Sequence, residues 1–227
     1  MEKTQQSVLK HHGGDGDKAR EMITQSYERR HDVAFWECWN ETMSAAIEHD
    51  TVLLDIGAGI GQFVEDLALR YPDNRVIGLE VAEYMYVAQK KLPENGRLLK
   101  DDVTDSQAQI VEGSVSAVMA NMVLHEMEQP VSFLNQIVRW MKSGGRVMVI
   151  DLVRQPLADY LEHKFPDGEI WGQNVPENSE IEEVFNHFLE HNRYHIEDVE
   201  YLFDQAGFDK LYSEPKGRMH QWVFEKR

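Results

Sequence analysis

TVLLDIGAGIG, residues 51–61, decides the fold. Its first half, Thr51 to Ile56, is a nearly unbroken apolar run of strand length, the pattern of a strand buried on both faces of a parallel sheet. Its second half places Gly57, Gly59 and Gly61 at alternate positions. Glycines so spaced let the backbone turn sharply and let another molecule approach where a Cβ would clash. Residues 61–70 continue with helical spacing and stop before Tyr71-Pro72. A strand, a glycine turn and a helix follow one another within twenty residues.

Outward from this unit the alternation continues. RVIGLE (75–80) predicts a second strand and 83–91 a helix that Pro93 ends. GRLLK (96–100) predicts a third strand, SVSAVMAN (114–121) a fourth, VSFLNQIVRWM (131–141) a helix and GRVMVIDLV (145–153) a fifth strand. Strands alternating with helices imply right-handed crossovers and a doubly wound sheet. Upstream, residues 1–18 form a polar tail containing His11 and His12, and 19–48 read as two helices broken near Arg30 to Asp32. Downstream, 154–194 breaks the rhythm with Pro156, Pro166, Pro176 and a helix near 179–190, an insertion expected to cover one edge of the sheet. A helix over 195–206 stops at Gly207, and FDKLYSEP with RMHQWVFEK predicts a closing antiparallel hairpin. The core domain is 49–227, with 154–194 as its cap.

In such a sheet the ends of the first two strands lie side by side at a ligand crevice. Glu80, 25 positions after Asp55, ends the second strand, where its carboxylate could accept from both hydroxyls of a ribose. Asp101-Asp102-Val103 follows the third strand. A carboxylate there could accept from an adenine amino group, and the next backbone N–H could donate to the ring. Each has a plainer alternative, a solvated strand end and an acidic helix start.

The order LDIGAGIG, VIGLE, KDDV and VMANMVLHEM resembles the class I S-adenosylmethionine-dependent methyltransferases. The likeness covers about 51–153, with an echo in HIEDVEYLFDQAGF. It implies a Rossmann-like methyltransferase fold, a mostly parallel seven-stranded sheet whose last strand is reversed, with N-terminal helices and a helical lid. It implies S-adenosylmethionine as cofactor and S-adenosylhomocysteine as product. Asp55 and the loop Gly57, Ala58, Gly59 and Gly61 would face the methionine part. Glu80 with Val81 would hold the ribose and Asp102 with Val103 the adenine. Asn121 would stand beside the sulfonium and its methyl. GAGIG followed by Gln-Phe is not the GxGxxG of a nicotinamide enzyme.

ANMV lacks the Asn/Asp-Pro-Pro-aromatic signature of methyltransferases acting on nucleic-acid bases or glutamine. His125, after the fourth strand, is a candidate general base, set against a structural hydrogen bond in the turn. Aromatic residues outside the sheet supply the remaining candidates: Tyr27 on the cofactor's sulfonium by cation–π attraction, and Trp36, Tyr160, Trp171 and Tyr194 on the substrate, unless they only pack the lid. His187 and His191 lie four apart with no compelling third ligand and read as a solvated helix face, so no metal is expected. The single cysteine, Cys38, reads as a small apolar residue on a helix and excludes an internal disulfide.

Forty acidic residues against 23 basic ones give a net charge of −17. No basic run offers itself to nucleic acid or an anionic membrane. No apolar run reaches the roughly 18–20 residues of a membrane span, and Met1 to Gln5 lack a signal peptide's apolar core, so a cytoplasmic location is expected. A homodimer is compatible with the sequence. The reading is a methyltransferase with a small-molecule acceptor. Two alternatives stay open: cyclisation of S-adenosylmethionine itself to azetidine-2-carboxylate and methylthioadenosine, and a catalytically inactive cofactor-binding partner protein.

Overall fold

The computed structural model describes Leu9 and residues 14–127, 129–171, 175–191 and 194–227. Most of the tail, with His11 and His12, lies outside the described residues, as does the side chain of His191. Two helices, α1 (Gly16–Arg30) and α2 (Val33–Thr42), precede the sheet. Asp15 caps the first and Asp32 the second, the Asp32 carboxylate accepting from Phe35 N at 2.9 Å. These caps explain why the chain breaks at His31 and Asp32.

The core then runs β1 (Val52–Ile56), α3 (Gln62–Arg70), β2 (Arg75–Glu80), α4 (Glu83–Tyr86), β3 (Gly96–Lys100), β4 (Val115–Asn121), α5 (Val131–Trp140) and β5 (Met141–Leu152). It continues with α6 (Leu157–Lys164), α7 (Asn178–His191), α8 (Ile196–Gln205), β6 (Phe208–Lys216) and β7 (Met219–Lys226). The seven strands form one sheet in the order β3-β2-β1-β4-β5-β7-β6. β1 to β5 pair in parallel, and β7 runs antiparallel between β5 and β6. This is the mostly parallel, seven-stranded architecture with a reversed last strand.

Side-chain alternation along each strand feeds two cores. Val52, Leu54 and Ile56 of β1 face α5 and α8, packing with Phe133, Trp140, Phe203 and Trp222. Leu53 faces the other way, toward Phe35 and Trp39 of α2 and Phe63, Val64 and Leu67 of α3. Residues in register with Leu53 share that second face, which decides where the site lies.

Two expectations need correction. The helix expected over 83–91 ends at Tyr86. Lys90 N donates instead to Ile60 O at 2.9 Å, so the segment folds back on the glycine turn. The 154–194 segment does not simply shield a sheet edge. Tyr160, Leu161, Phe165 and Phe188 form a small core of their own, and α7 packs against the turn Leu124–Glu126 at the end of β4.

Candidate functional site

Strand order reverses between β1 and β4, since β1 leads outward to β2 and β4 to β5. Crevices form at such a point, outside the carboxyl ends of the strands. A cavity of about 720 Å³ opens there. The period of two places three polar side chains on one face. Asp55 follows Leu53, Glu80 follows Val76 and Gly78, and Asn121 follows Ala117 and Met119. All three line the cavity.

Glu80 is buried and holds the glycine turn. Its Oε2 accepts from Gly59 N at 2.7 Å and its Oε1 from Ala82 N at 2.6 Å. Each oxygen keeps a lone pair for a further donor. Burial pushes its pKa up to about 7, against the opposing pull of those backbone N–H groups. Asp55, 4% exposed, has no hydrogen-bond donor among the described residues. Burial, then the neighbouring Glu80, holds its pKa well above the carboxylate range. Asn121 Oδ1 is buried and has no partner, and Met122 beside it adopts φ 58°, a conformation that non-glycine residues rarely take and that clusters at functional sites.

The glycines are required by their left-handed backbone, and Gly57 by space as well. A Cβ on Gly57 (φ 71°) would lie 2.3 Å from Val123 Cγ2, whereas one on Gly59 (φ 56°) would meet nothing within 4 Å. Gly59 lines the cavity and Gly61 does not; Gly61 is the left-handed N-cap of α3. Gly78 lets the loop approach β2, since a Cβ there would sit 2.7 Å from that of Ala58.

Beyond β3 the two aspartates divide their tasks. Asp101 organises the loop, accepting from Asp102 N, Gln107 N, Ala108 N and Ser106 Oγ. Asp102 Oδ1 accepts from Thr104 N and Thr104 Oγ1. Asp102, Val103, Ala58 and Val81 all line the cavity, as does Tyr27, which reaches over from α1. The Tyr27 hydroxyl donates to Asp66 Oδ2 at 2.6 Å, and its ring stacks on His31 with centroids 4.2 Å apart.

His125 is not placed as a general base. Its Nδ1 sits 2.6 Å from Asp151 Oδ1 and its Nε2 3.4 Å from Glu126 Oε1. Burial works against the charged ring, but Asp151 and Glu126 overrule it and raise the pKa to about 10. A ring that is already protonated at neutral pH accepts no proton there. Asp151 also accepts from Val123 N, Leu124 N and Leu152 N, so the pair fixes the turn after β4.

The four substrate candidates stand off the cavity wall. Trp36 stacks on Phe63 and lies beneath the Arg70 guanidinium at 4.1 Å. Tyr160 is buried in the insertion, 2.8 Å from His187 Nδ1, which also removes His187 from a solvated face. Trp171 is 80% exposed. Tyr194 packs against the core and donates to Met127 O. The cavity wall instead includes Arg30, His31 and Arg218, none of which stood out in the sequence. Burial, helped by Arg30 and Lys216, lowers the His31 pKa to about 4.

The site fits S-adenosylmethionine on its own chemistry. Asp55 lacks a donor or cation, Glu80 retains acceptor capacity for vicinal hydroxyls, Asn121 Oδ1 lacks a donor, and the glycine turn leaves room above Gly59. Residues 54–149 match the model of a family described as methyltransferase domain. Over those residues the chain is similar to methyltransferase domains. Phosphoethanolamine N-methyltransferase 1 of Triticum aestivum is 31% identical to it over 105 residues, covering 43% of this chain and 20% of that protein. Demethylmenaquinone methyltransferase of Lactococcus lactis is 25% identical over 168 residues, covering 69% of this chain and 65% of that one. The chain thus spans less than two thirds of the length of either relative. A plantazolicin methyltransferase solved with S-adenosylhomocysteine superposes with a TM-score of 0.64 over 99% of this chain and 95% of that one. At 17% identity that likeness speaks for the fold. The matched stretch, residues 54–149, holds Asp55, Glu80, Asp102 and Asn121, while the α1 and hairpin sides of the cavity lie outside it.

Proposed function

We propose that the protein transfers a methyl group from S-adenosylmethionine to a small-molecule acceptor, leaving S-adenosylhomocysteine. The observation that carries the reading is the set of three inward-facing groups, Asp55, Glu80 and Asn121, around one cavity at the switch point. When bound, the cofactor supplies an electrophilic methyl on a positively charged sulfur. Burial favours the neutral form of the Asp55 carboxyl in the cofactor-free protein, and Asp55 ionises against the cationic methionyl part. Glu80 accepts from the ribose, and Asp102 with the Val103 N–H meets the adenine edge. Asn121 faces the reacting end. Tyr27 and the rest of α1 roof the site and exclude water.

Displacement at a methyl carbon asks little of acids and bases, so positioning and water exclusion carry most of the rate. A His125 that holds its proton fits that division, since it orders the turn and takes no part in proton transfer. The two curated relatives are named for small-molecule acceptors, which supports a small acceptor here. The same reading carries a cytoplasmic location, checked by cell fractionation, and a homodimer, checked by light scattering. Among the described residues no helix is long and apolar enough to cross a membrane.

The test is titration calorimetry with S-adenosylhomocysteine, followed by mass spectrometry of protein incubated with S-adenosylmethionine, alone and with a metabolite extract. Methyl transfer predicts binding, no methylthioadenosine above spontaneous breakdown, and S-adenosylhomocysteine only when extract is added. Catalytic build-up of methylthioadenosine from the cofactor alone would replace transfer by cyclisation. Tight binding with no consumption in either mixture would make the protein a cofactor-binding partner.

A further inference from the structure

The cavity wall carries groups of both charge signs. Asp55, Glu80, Asp101, Asp102 and Glu126 line it, and burial first, then Glu80 and Glu126, raise the pKa of Tyr84 there. Arg29 and Arg30 on the last turn of α1, and Arg218 on the turn between β6 and β7, line it too. Lys216 joins this second group, its Nζ donating to Arg30 O at 3.5 Å. Arg218 reaches toward the insertion, where it lowers the Tyr160 pKa against the larger, raising effect of burial. Segments nearly two hundred residues apart therefore bring basic side chains to one cavity in a chain of net charge −17.

Acids are plentiful, and arginines elsewhere use them: Arg20 pairs with Asp17, Arg146 with Glu225 and Arg227 with Asp204. Among the described residues Arg29, Arg30 and Arg218 have no ion pair. A helix C-terminus attracts basic side chains, which accounts for the exposed Arg29. It does not account for Arg30, whose Nε is buried with no acceptor and whose pKa burial lowers. Of the two acids nearest in sequence, Glu28 and Asp32, the second is committed to capping α2. A buried donor left unpaired is a cost that a ligand oxygen removes. Among the described residues the three cavity-lining cations without an ion pair are all arginines, whose planar fork matches a carboxylate in a way that the point charge of lysine does not.

We propose that the acceptor is a carboxylate-bearing small molecule, its carboxylate held by Arg30 and Arg218 in the cavity wall. This rests on the reading of the cavity as a joint cofactor and acceptor site, and it adds the acceptor's chemical class. The carboxylate anchors one end of the acceptor and leaves its nucleophile directed at the part of the cavity beside Asn121.

The experiment uses the full chain loaded with S-adenosylhomocysteine and a matched pair of probes, 4-hydroxyphenylacetate and 4-hydroxyphenylacetamide, titrated by saturation-transfer NMR. The acid is expected to bind at least about fivefold tighter than the amide at low salt, the scale of one charge-assisted contact. Arg218→Gln, an exposed site that does not threaten folding, and Arg30→Gln should each abolish the preference. Arg30→Lys should restore it in part, and Arg97→Gln, on the exposed edge strand, should leave it intact. Equal binding of acid and amide, or binding of neither, overturns the proposal. Calorimetry with S-adenosylhomocysteine and methylthioadenosine separates the other source of a carboxylate, the cofactor's own. The arginine variants should leave both affinities within about twofold of wild type. A loss for S-adenosylhomocysteine alone would assign the arginines to the cofactor and overturn the acceptor class. Failure of the wild-type protein to bind S-adenosylhomocysteine would instead overturn the proposed function itself.

Discussion

Glu80 shows how one residue couples binding to stability. Its folded pKa of about 7 stands above the ordinary 4.5, so the folded chain keeps a proton that the unfolded chain loses. That contribution is fully present below about pH 4.5 and is lost as pH rises through 7, at a cost on the order of 3 kcal/mol. Cofactor-free protein should therefore lose thermal stability between pH 5 and 8, and Glu80→Gln should flatten that slope. The same variant should bind S-adenosylhomocysteine more weakly by roughly 1.5–3 kcal/mol, the scale of a hydrogen bond to a charged group. Because binding favours the ionised carboxylate, wild-type affinity should rise from pH 5.5 to 8 with proton release, measurable by calorimetry in buffers of different ionisation enthalpy. An identical pH profile in wild type and variant would remove Glu80 from this role. His125 has the same sign in a more alkaline window. Its pKa near 10, against an ordinary 6.5, gives stability that is complete below 6.5 and lost as pH rises through 10. His125→Asn should thus remove the alkaline part of the stability profile, read as melting temperature against pH. A steep alkaline loss surviving in the variant would mean that another group is responsible.

At the scale of elements, the glycine turn does two separable jobs. Gly57→Ala forces a left-handed alanine against Val123 and should destabilise the fold by roughly 2–4 kcal/mol, from backbone conformation and overpacking together. Gly59→Ala bears only the conformational part, roughly 1–2 kcal/mol, and should lose cofactor affinity out of proportion to stability. Denaturant melts and calorimetry on both variants test the split; equal stability losses would contradict the distinct surroundings of the two positions. This turn was readable in sequence because everything that defines it is local: an apolar strand, three spaced glycines and a helical run. Glu80 was readable as the end of a predicted strand, whereas Asn121 entered through the family resemblance. The partners of His125 were not. Asp151 lies 26 residues away and reaches the β4 turn only because β4 and β5 pair in parallel. Aromatic content misled in the same way. Composition supplies Trp36, Tyr160, Trp171 and Tyr194, but only packing decides that they face α3, the insertion's own core, solvent and the Met127 carbonyl.

For the whole molecule, the question is what holds the roof on the cavity. The sheet and its two cores are deeply buried, yet α1 buries only Ala19 and presents Met22, Ile23, Ser26, Tyr27, Arg29 and Arg30 to the cavity. Its tethers are Tyr27 to Asp66, Lys216 to the Arg30 carbonyl, and a small apolar cluster of Ala19 and Ile23 with Ala82, Met85 and Tyr84. Elements with few buried contacts open at a free energy well below global unfolding. A ligand seated beneath α1 adds its binding energy to the closed form, about 2.7 kcal/mol at a hundredfold excess over Kd. Amide hydrogen exchange followed by mass spectrometry should therefore show fast exchange in 16–30 without ligand, and slow exchange in β1 and β4. Saturating S-adenosylhomocysteine should slow 16–30 more than any core strand. Tyr27→Phe, which cuts the tether to Asp66, should speed exchange in 16–30 while leaving the strands unchanged. Strand-like protection of α1 in the cofactor-free protein would show the helix to be a fixed wall, and acceptor entry would then need a route past the insertion and Arg218.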